Sequence, residues 1–142
     1  MSYLNRFLQI LVKTMVGIFS GIIWSILYVY IIPYIVSGTG FYVEEVTPYY
    51  IWIIMFFIIT GVAISLIEKL VYKFTLNTLT KILGLWILTK ILNDGILSTT
   101  FFYQDINMMV TIDFTIILYL IGVWTIATIF IDFYNIVSKT KA

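Results

Sequence analysis

The sequence contains no cysteine and no histidine, and these two absences remove much of the usual chemistry of protein sites. Without cysteine there is no disulfide framework, zinc–thiolate site, iron–sulfur cluster or thiol nucleophile. Without histidine the chain lacks the commonest metal ligand and the commonest general base. Acid–base chemistry would depend on carboxylates and lysines alone, so we predict a protein that is not an enzyme and that binds no metal and no cofactor.

Charge is also scarce along the chain. Only 11% of the 142 residues are charged, 62% are hydrophobic, and the mean hydropathy is +1.08. Soluble domains carry about a quarter charged residues, so this composition could not cover the surface of a water-soluble globule. The formal net charge of +1 also argues against a nucleic-acid binder. We therefore predict an integral protein of the cell membrane, with lipids among its partners.

Long apolar runs are the main pattern in the sequence. A helix that crosses a bilayer needs about 20 mostly apolar residues, because the hydrocarbon core is about 30 Å thick and each residue adds about 1.5 Å. Four runs have a suitable length: residues 15–36, 49–67, 82–103 and 114–130. We predict an all-α fold, an integral membrane bundle of four transmembrane helices that forms a single domain over residues 1–142.

The basic residues predict how such a bundle is oriented, because the cytoplasmic flanks of membrane helices carry an excess of lysine and arginine. With four crossings, seven of the eight basic residues lie on one side: two before the first run, three between the second and third, and two after the fourth. The loops on the opposite side hold only acids: Glu44, Glu45, Asp105 and Asp113. The sequence therefore predicts a multi-pass protein with both termini in the cytoplasm.

The N-terminal stretch has an amphipathic pattern. Over residues 3–14, Leu4, Phe7, Leu8 and Leu11 alternate with polar residues at helical spacing. This pattern predicts either an amphipathic helix lying along the inner membrane interface or a cytoplasmic extension of the first span.

Lys90, Asn93 and Asp94 interrupt the third run. Their spacing of three and four residues places them on one helical face, and Lys90 and Asp94 are spaced to form an ion pair. In a continuous helix over residues 82–103 they would lie near the middle of the bilayer, where a lysine or aspartate costs roughly 2.5–3.5 kcal/mol. Such an intramembrane polar cluster predicts a proton or ion path, or a contact with a polar group of a partner subunit.

The same residues also support a different interpretation. Asn93, Asp94 and Gly95 together form a strong turn signal, because asparagine and glycine tolerate left-handed backbone geometry. A helix that begins near Phe74 would then end at Asp94, and residues 96–111 would form an external loop or a short surface helix. The sequence leaves both alternatives open.

Small residues recur at helical spacing in the first two runs. Gly17, Gly21 and Ser25 repeat every four residues in the first run, and Gly61 and Ser65 do so in the second. Lipid tails are as apolar as leucine, so membrane helices associate by close backbone packing at such positions. We predict helix-packing faces here, which serve either the bundle itself or a partner helix.

Other acidic residues have simpler interpretations. Asp132 is predicted to form a structural ion pair with Lys69 or Lys73. The adjacent Glu44 and Glu45 are predicted to be solvated in an external loop rather than to form a cation site, because two carboxylates lack the ligand number that calcium requires.

No motif in the sequence identifies a family, so the function is predicted by class. We favour a small non-catalytic integral membrane subunit that packs within a larger complex of the respiratory, oxygenase or transport type and contributes to its assembly or stability. The first alternative is a small homo-oligomeric channel or transporter with Lys90, Asn93 and Asp94 on its polar face. The second is a viral or structural membrane protein.

Overall fold

A computed structural model of the protein describes residues 2–40 and 50–141, and 81% of these residues are helical. The helices are α1 (Ser2–Ile26), α2 (Ile32–Gly38), α3 (Tyr50–Leu66), α4 (Leu70–Ile91) and α5 (Thr115–Lys141). Two strands, β1 (Ile96–Tyr103) and β2 (Ile106–Asp113), form an antiparallel hairpin between α4 and α5. The predicted all-α class therefore needs one correction, since a small sheet is present. The pair Glu44 and Glu45 lies outside the described residues.

Helices α1 and α2 form one long rod. A π-helical turn, Leu27–Ile31, joins them without a break, and it precedes Pro33. Proline has no N–H to donate to the preceding turn, and a π turn is one way for a helix to accommodate that loss. The rod extends over Tyr3–Gly38. Of the two interpretations of the N-terminal stretch, the structure therefore shows the helical extension of the first apolar run.

Helix α4 ends at Ile91, well before the end of the third apolar run. Asn93, Asp94 and Gly95 follow in a turn with positive φ angles of 49°, 58° and 98°. This left-handed geometry is the one that the turn interpretation requires. The interpretation of residues 82–103 as one continuous helix is wrong, and the segment after the turn is neither a loop nor a surface helix.

The β1–β2 hairpin has an apolar face and a more polar face. Opposed residues on the apolar face are Leu97 with Ile112, Thr99 with Val110, Phe101 with Met108, and Tyr103 with Ile106. Side chains alternate between the two faces of a strand, so residues 96, 98, 100 and 102 lie on the other face. Leu97 is buried at the base of the hairpin, whereas Tyr103 and Ile106 at its far end are each 62% exposed.

The start of α5 is fixed by the end of β2. The backbone N–H of Thr115 donates to Asp113 Oδ1 at 2.8 Å, and the Thr115 hydroxyl donates to the same oxygen. These bonds satisfy an N–H group that would otherwise lack a partner in the first helical turn. The hydrogen bond from the Thr115 hydroxyl lowers the pKa of Asp113 below its ordinary value, and the bond from the Thr115 backbone N–H adds a smaller effect in the same direction.

Packing is uneven across the helices. The most extensive contact is between α1 and α3, whereas α4 contacts α3 and α5 less extensively. The core cluster consists of Val29, Ile53, Phe57, Ile87 and Ile91, contributed by the π turn, α3 and α4. Helix α5 contributes no buried residue, so it lies at the edge of the assembly.

In the described part of the chain, two helices are long and apolar enough to cross a membrane. They are Tyr3–Gly38, with a mean hydropathy of 2.1, and Thr115–Lys141, with 2.2. An apolar core helix of a soluble protein would be mostly buried, yet only 22% and 0% of the respective windows are buried. The shorter helix Tyr50–Leu66 is also apolar.

Candidate functional site

Three glycines lie where α1 and α3 touch. A Cβ atom at Gly21 would be 2.5 Å from Ile58 Cα, and one at Gly17 would be 2.5 Å from Val62 Cα. A Cβ atom at Gly61 would be 2.5 Å from the carbonyl oxygen of Gly17. Real Cβ atoms do not approach backbone so closely, so the two helices meet at positions where no side chain fits.

The two predicted small-residue stripes face the same contact. Ser25 is buried, and its hydroxyl donates to the carbonyl oxygen of Gly21 at 2.7 Å. Ser65 lies one turn beyond Gly61 on α3 and lines a cavity beside the contact. The buried Thr60 donates to the carbonyl oxygen of Phe56 at 2.7 Å. The Ser25 and Thr60 hydroxyls are therefore satisfied within their own helices and allow close packing.

Helix α4 is buried against the α1–α3 pair only along its C-terminal half. Its buried residues are Gly84, Ile87 and Ile91. At Gly84 a Cβ atom would be 2.6 Å from Tyr28 Oη, so α4 lies directly against the tyrosine ring there. The described residues of α4 before Gly84 are all partly or fully exposed. A wedge of space therefore lies between this part of α4 and the other two helices.

This wedge is a partly open cavity of about 310 Å³, a size at the small end of ligand pockets in general. One part of its wall is aromatic and is formed by Trp24, Tyr28 and Phe57. The rings of Tyr28 and Phe57 are parallel within 2°, with their centroids 5.5 Å apart. The polar groups on the wall are Ser20, Thr60, Ser65, Asn77, Thr80 and Lys81.

Three polar side chains in the cavity have no hydrogen-bond partner among the described residues: Ser20, Ser65 and Asn77. Thr80, in contrast, donates back to the carbonyl oxygen of Leu76 at 2.9 Å. Ser20 and Asn77 are exposed and Ser65 is partly exposed, so water or a ligand can reach and satisfy all three. The cavity thus combines an aromatic wall with free hydrogen-bonding groups.

Lys81 connects the cavity to α5. Its Nζ donates to Asp132 Oδ2 at 2.7 Å, and the two side chains are 32% and 41% exposed. The predicted pairing of Asp132 with Lys69 or Lys73 is therefore wrong. Lys73 lies about two turns before Lys81 on α4, and Lys69 lies just before the helix begins. The long apolar stem of a lysine allows Lys81 to reach the carboxylate.

The Lys90, Asn93 and Asp94 group lies at the end of α4 and in the turn after it. Lys90 Nζ is 3.9 Å from Asp94 Oδ1, with side chains 42% and 70% exposed. Asn93 Nδ2 donates to the carbonyl oxygen of Ile96 at 3.1 Å and so supports the turn. These residues are close together, but they stabilise a chain reversal rather than line the middle of a helix.

Sequence reasoning missed the cavity residues on α1 and α4. Residues 16, 20, 24 and 28 recur every four positions on α1, and residues 77, 80 and 81 share one face of α4. The spacing on each helix can be read from the sequence, but which helix faces which depends on how α4 packs against α1 and α3.

Comparison of the chain with protein-family models, with curated proteins and with solved structures finds no match. The function is therefore argued from the geometry alone.

Proposed function

We propose that the chain is a four-span membrane protein with both termini in the cytoplasm, and that it packs as a non-catalytic subunit into a larger membrane complex. Four antiparallel crossings by α1–α2, α3, α4 and α5 would leave the β1–β2 hairpin on the outer side. The pair Lys13 and Glu68, with Nζ and Oε1 3.4 Å apart, would then mark the inner surface. Lys139 and Lys141 at the end of α5 would lie on that same side.

The exposed surface of α5 is the observation that carries the subunit proposal. Tyr119, Val123, Trp124 and Phe130 are each between 65% and 71% exposed. At 3.6 residues per turn, Tyr119, Val123 and Phe130 lie on the side of α5 opposite Asp132, which faces Lys81 of α4. A partner helix packed on this outward side would bury the apolar surface and leave the ion pair between α4 and α5 in place.

The hairpin gives independent support. A two-stranded hairpin is marginally stable by itself in water, and unpaired strand edges invite association. Phe102 and Met109 are 81% and 68% exposed, so apolar area persists even on the more polar face. An additional subunit on the outer side would bury this area.

Purification of the tagged protein in mild detergent tests the subunit proposal. We expect a complex of fixed stoichiometry with other integral membrane proteins on a native gel. Phe130 supplies a suitable variant, because its side chain is 68% exposed on the outward side of α5. Phe130→Ala is therefore expected to release the chain from the complex while leaving it folded, since truncation of an aromatic residue at the centre of an interface is costly. Purification of a homogeneous homo-oligomer would instead favour the channel alternative. The structure gives that alternative little support, because Lys90 and Asp94 lie at a helix end.

Single-cysteine labelling tests the topology, because the natural chain has no cysteine to interfere. A membrane-impermeant maleimide is expected to label Gln104→Cys, at the hairpin turn, in intact cells. Ser138→Cys, near the end of α5, is expected to react only after permeabilisation. Thr125→Cys, in the middle of α5, serves as the control that stays protected in both conditions. Equal labelling of positions 104 and 138 in intact cells would contradict a spanning α5.

A further inference from the structure

We infer that the cavity between α1, α3 and α4 is a binding site for one amphiphilic molecule with an acidic head, a carboxylate or a phosphate. The inference rests on the proposed topology, which determines the side of the membrane towards which the cavity opens. Its supporting observations are the gradient of polarity along the cavity, the free hydrogen-bonding groups and the single cation in the wall.

Polarity changes along the length of the cavity. Trp24, Tyr28 and Phe57 form its apolar part, beside the hydrophobic cluster that fills the space towards the hairpin. Ser65 and Asn77 lie nearer the connection between α3 and α4, on a part of the wall that also includes the apolar Val16 and Ile64. With that connection in the cytoplasm, the polar part faces the inner surface and the apolar part faces the bilayer centre. This is the orientation of a lipid in the inner leaflet.

The head would be recognised by Lys81, Asn77 and Ser65. Lys81 is the single charged residue in the described wall, and Asp132, which neutralises it, lies outside the wall. An ammonium group has three N–H donors, and one of them is directed to Asp132. The other two, together with the Asn77 amide and the Ser65 hydroxyl, are donors that carboxylate or phosphate oxygens can accept.

Asp132 also gives the proposal a distinctive signature. Its carboxylate competes with an acidic head for Lys81 and repels that head through space. Asp132→Asn should therefore strengthen binding of an acidic amphiphile and leave binding of a neutral one nearly unchanged. If the cavity bound only the apolar chain of the molecule, Asp132→Asn would change the binding of the acidic and the neutral amphiphile equally.

Tryptophan quenching can measure this binding, because Trp24 lies in the wall and is 45% exposed, whereas Trp124 lies on α5 away from the cavity and is 70% exposed. Two variants each keep one tryptophan and carry phenylalanine at the other three positions. In phosphatidylcholine vesicles, the quenching of Trp24 by 9,10-dibromostearate should reach a plateau at a low mole fraction of the probe. The quenching of Trp124 should only rise in proportion to the amount of probe in the bilayer. Dibromo-phosphatidic acid tests a phospholipid source, and methyl 9,10-dibromostearate is the neutral comparison.

Variants of the wall complete the test. Lys81→Met should raise the half-saturating mole fraction of the acidic probe about tenfold, since a charged hydrogen bond is lost. Asn77→Leu, which leaves the ion pair intact, should weaken binding in the same direction if the Lys81 variant proves unstable. Equal quenching of Trp24 and Trp124 would overturn the site. Failure of dibromo-phosphatidylcholine to quench Trp124 would overturn the membrane topology itself, so the two failures are distinguishable.

Discussion

Replacing Gly21 by alanine is expected to lower the free energy of unfolding by about 3 kcal/mol, the upper end of the usual overpacking cost. The added Cβ atom would be 2.5 Å from Ile58 Cα and 2.6 Å from the carbonyl oxygen of Phe57. Both neighbours are backbone atoms, so no side-chain rotation can relieve the overlap, and α1 must move away from α3. Unfolding in mixed micelles with increasing sodium dodecyl sulfate, followed by circular dichroism, measures the change.

Gly122→Ala is the matched control, because it makes the same chemical change within a helix. Only Leu85 Cδ2, at 4.0 Å, lies near the added atom there. Alanine is favoured over glycine in a helix interior by about 1 kcal/mol, so the control should be neutral or stabilising. Equal stabilities of the Gly21 and Gly122 variants would contradict the close contact between α1 and α3.

The helices at both ends of the chain could be predicted because their signals are local. The run over residues 15–36 falls within Tyr3–Gly38, and the run over residues 114–130 lies within Thr115–Lys141 except for its first residue, so length and hydropathy were sufficient to find both helices. The beginning of α4 was harder to find. Its first half includes Asn77 and Lys81, which lower the hydropathy and moved the predicted start to residue 82. A hydropathy window treats such polar residues as the edge of a helix even where they line a cavity within it.

The hairpin was missed because its first strand was interpreted by hydrophobicity alone. Residues 96–103 do not alternate between apolar and polar, but they are rich in the β-branched and aromatic residue types that strands favour. The aromatic cluster at residues 101–103 also resembles the end of a membrane span. The cavity could not be predicted at all, because it depends on where α4 separates from α1, a property of helix packing.

Lys81 and Asp132 form the second contact whose loss we expect to have a large effect. Their 2.7 Å bond links α4 to α5, a helix with no buried residue of its own. In a spanning helix, an unpaired lysine or aspartate costs roughly 2.5–3.5 kcal/mol, and removing one partner leaves the other uncompensated. Lys81→Met is therefore expected to lower the free energy of unfolding by about 3 kcal/mol in the same detergent titration.

A double-mutant cycle separates the pair from the individual side chains. The variant carrying both Lys81→Met and Asp132→Leu is expected to be more stable than either single variant, because no charge is left without its partner. Lys13 and Glu68 supply the control: their atoms are 3.4 Å apart and their side chains are 46% and 86% exposed. Loss of such an exposed pair should cost less than about 1 kcal/mol. If the Lys81 and Asp132 changes were additive and as small as the control, water would be solvating both charges. Helix α5 would then be held to α4 by its apolar contacts, such as the Phe74–Phe133 ring pair with centroids 5.9 Å apart.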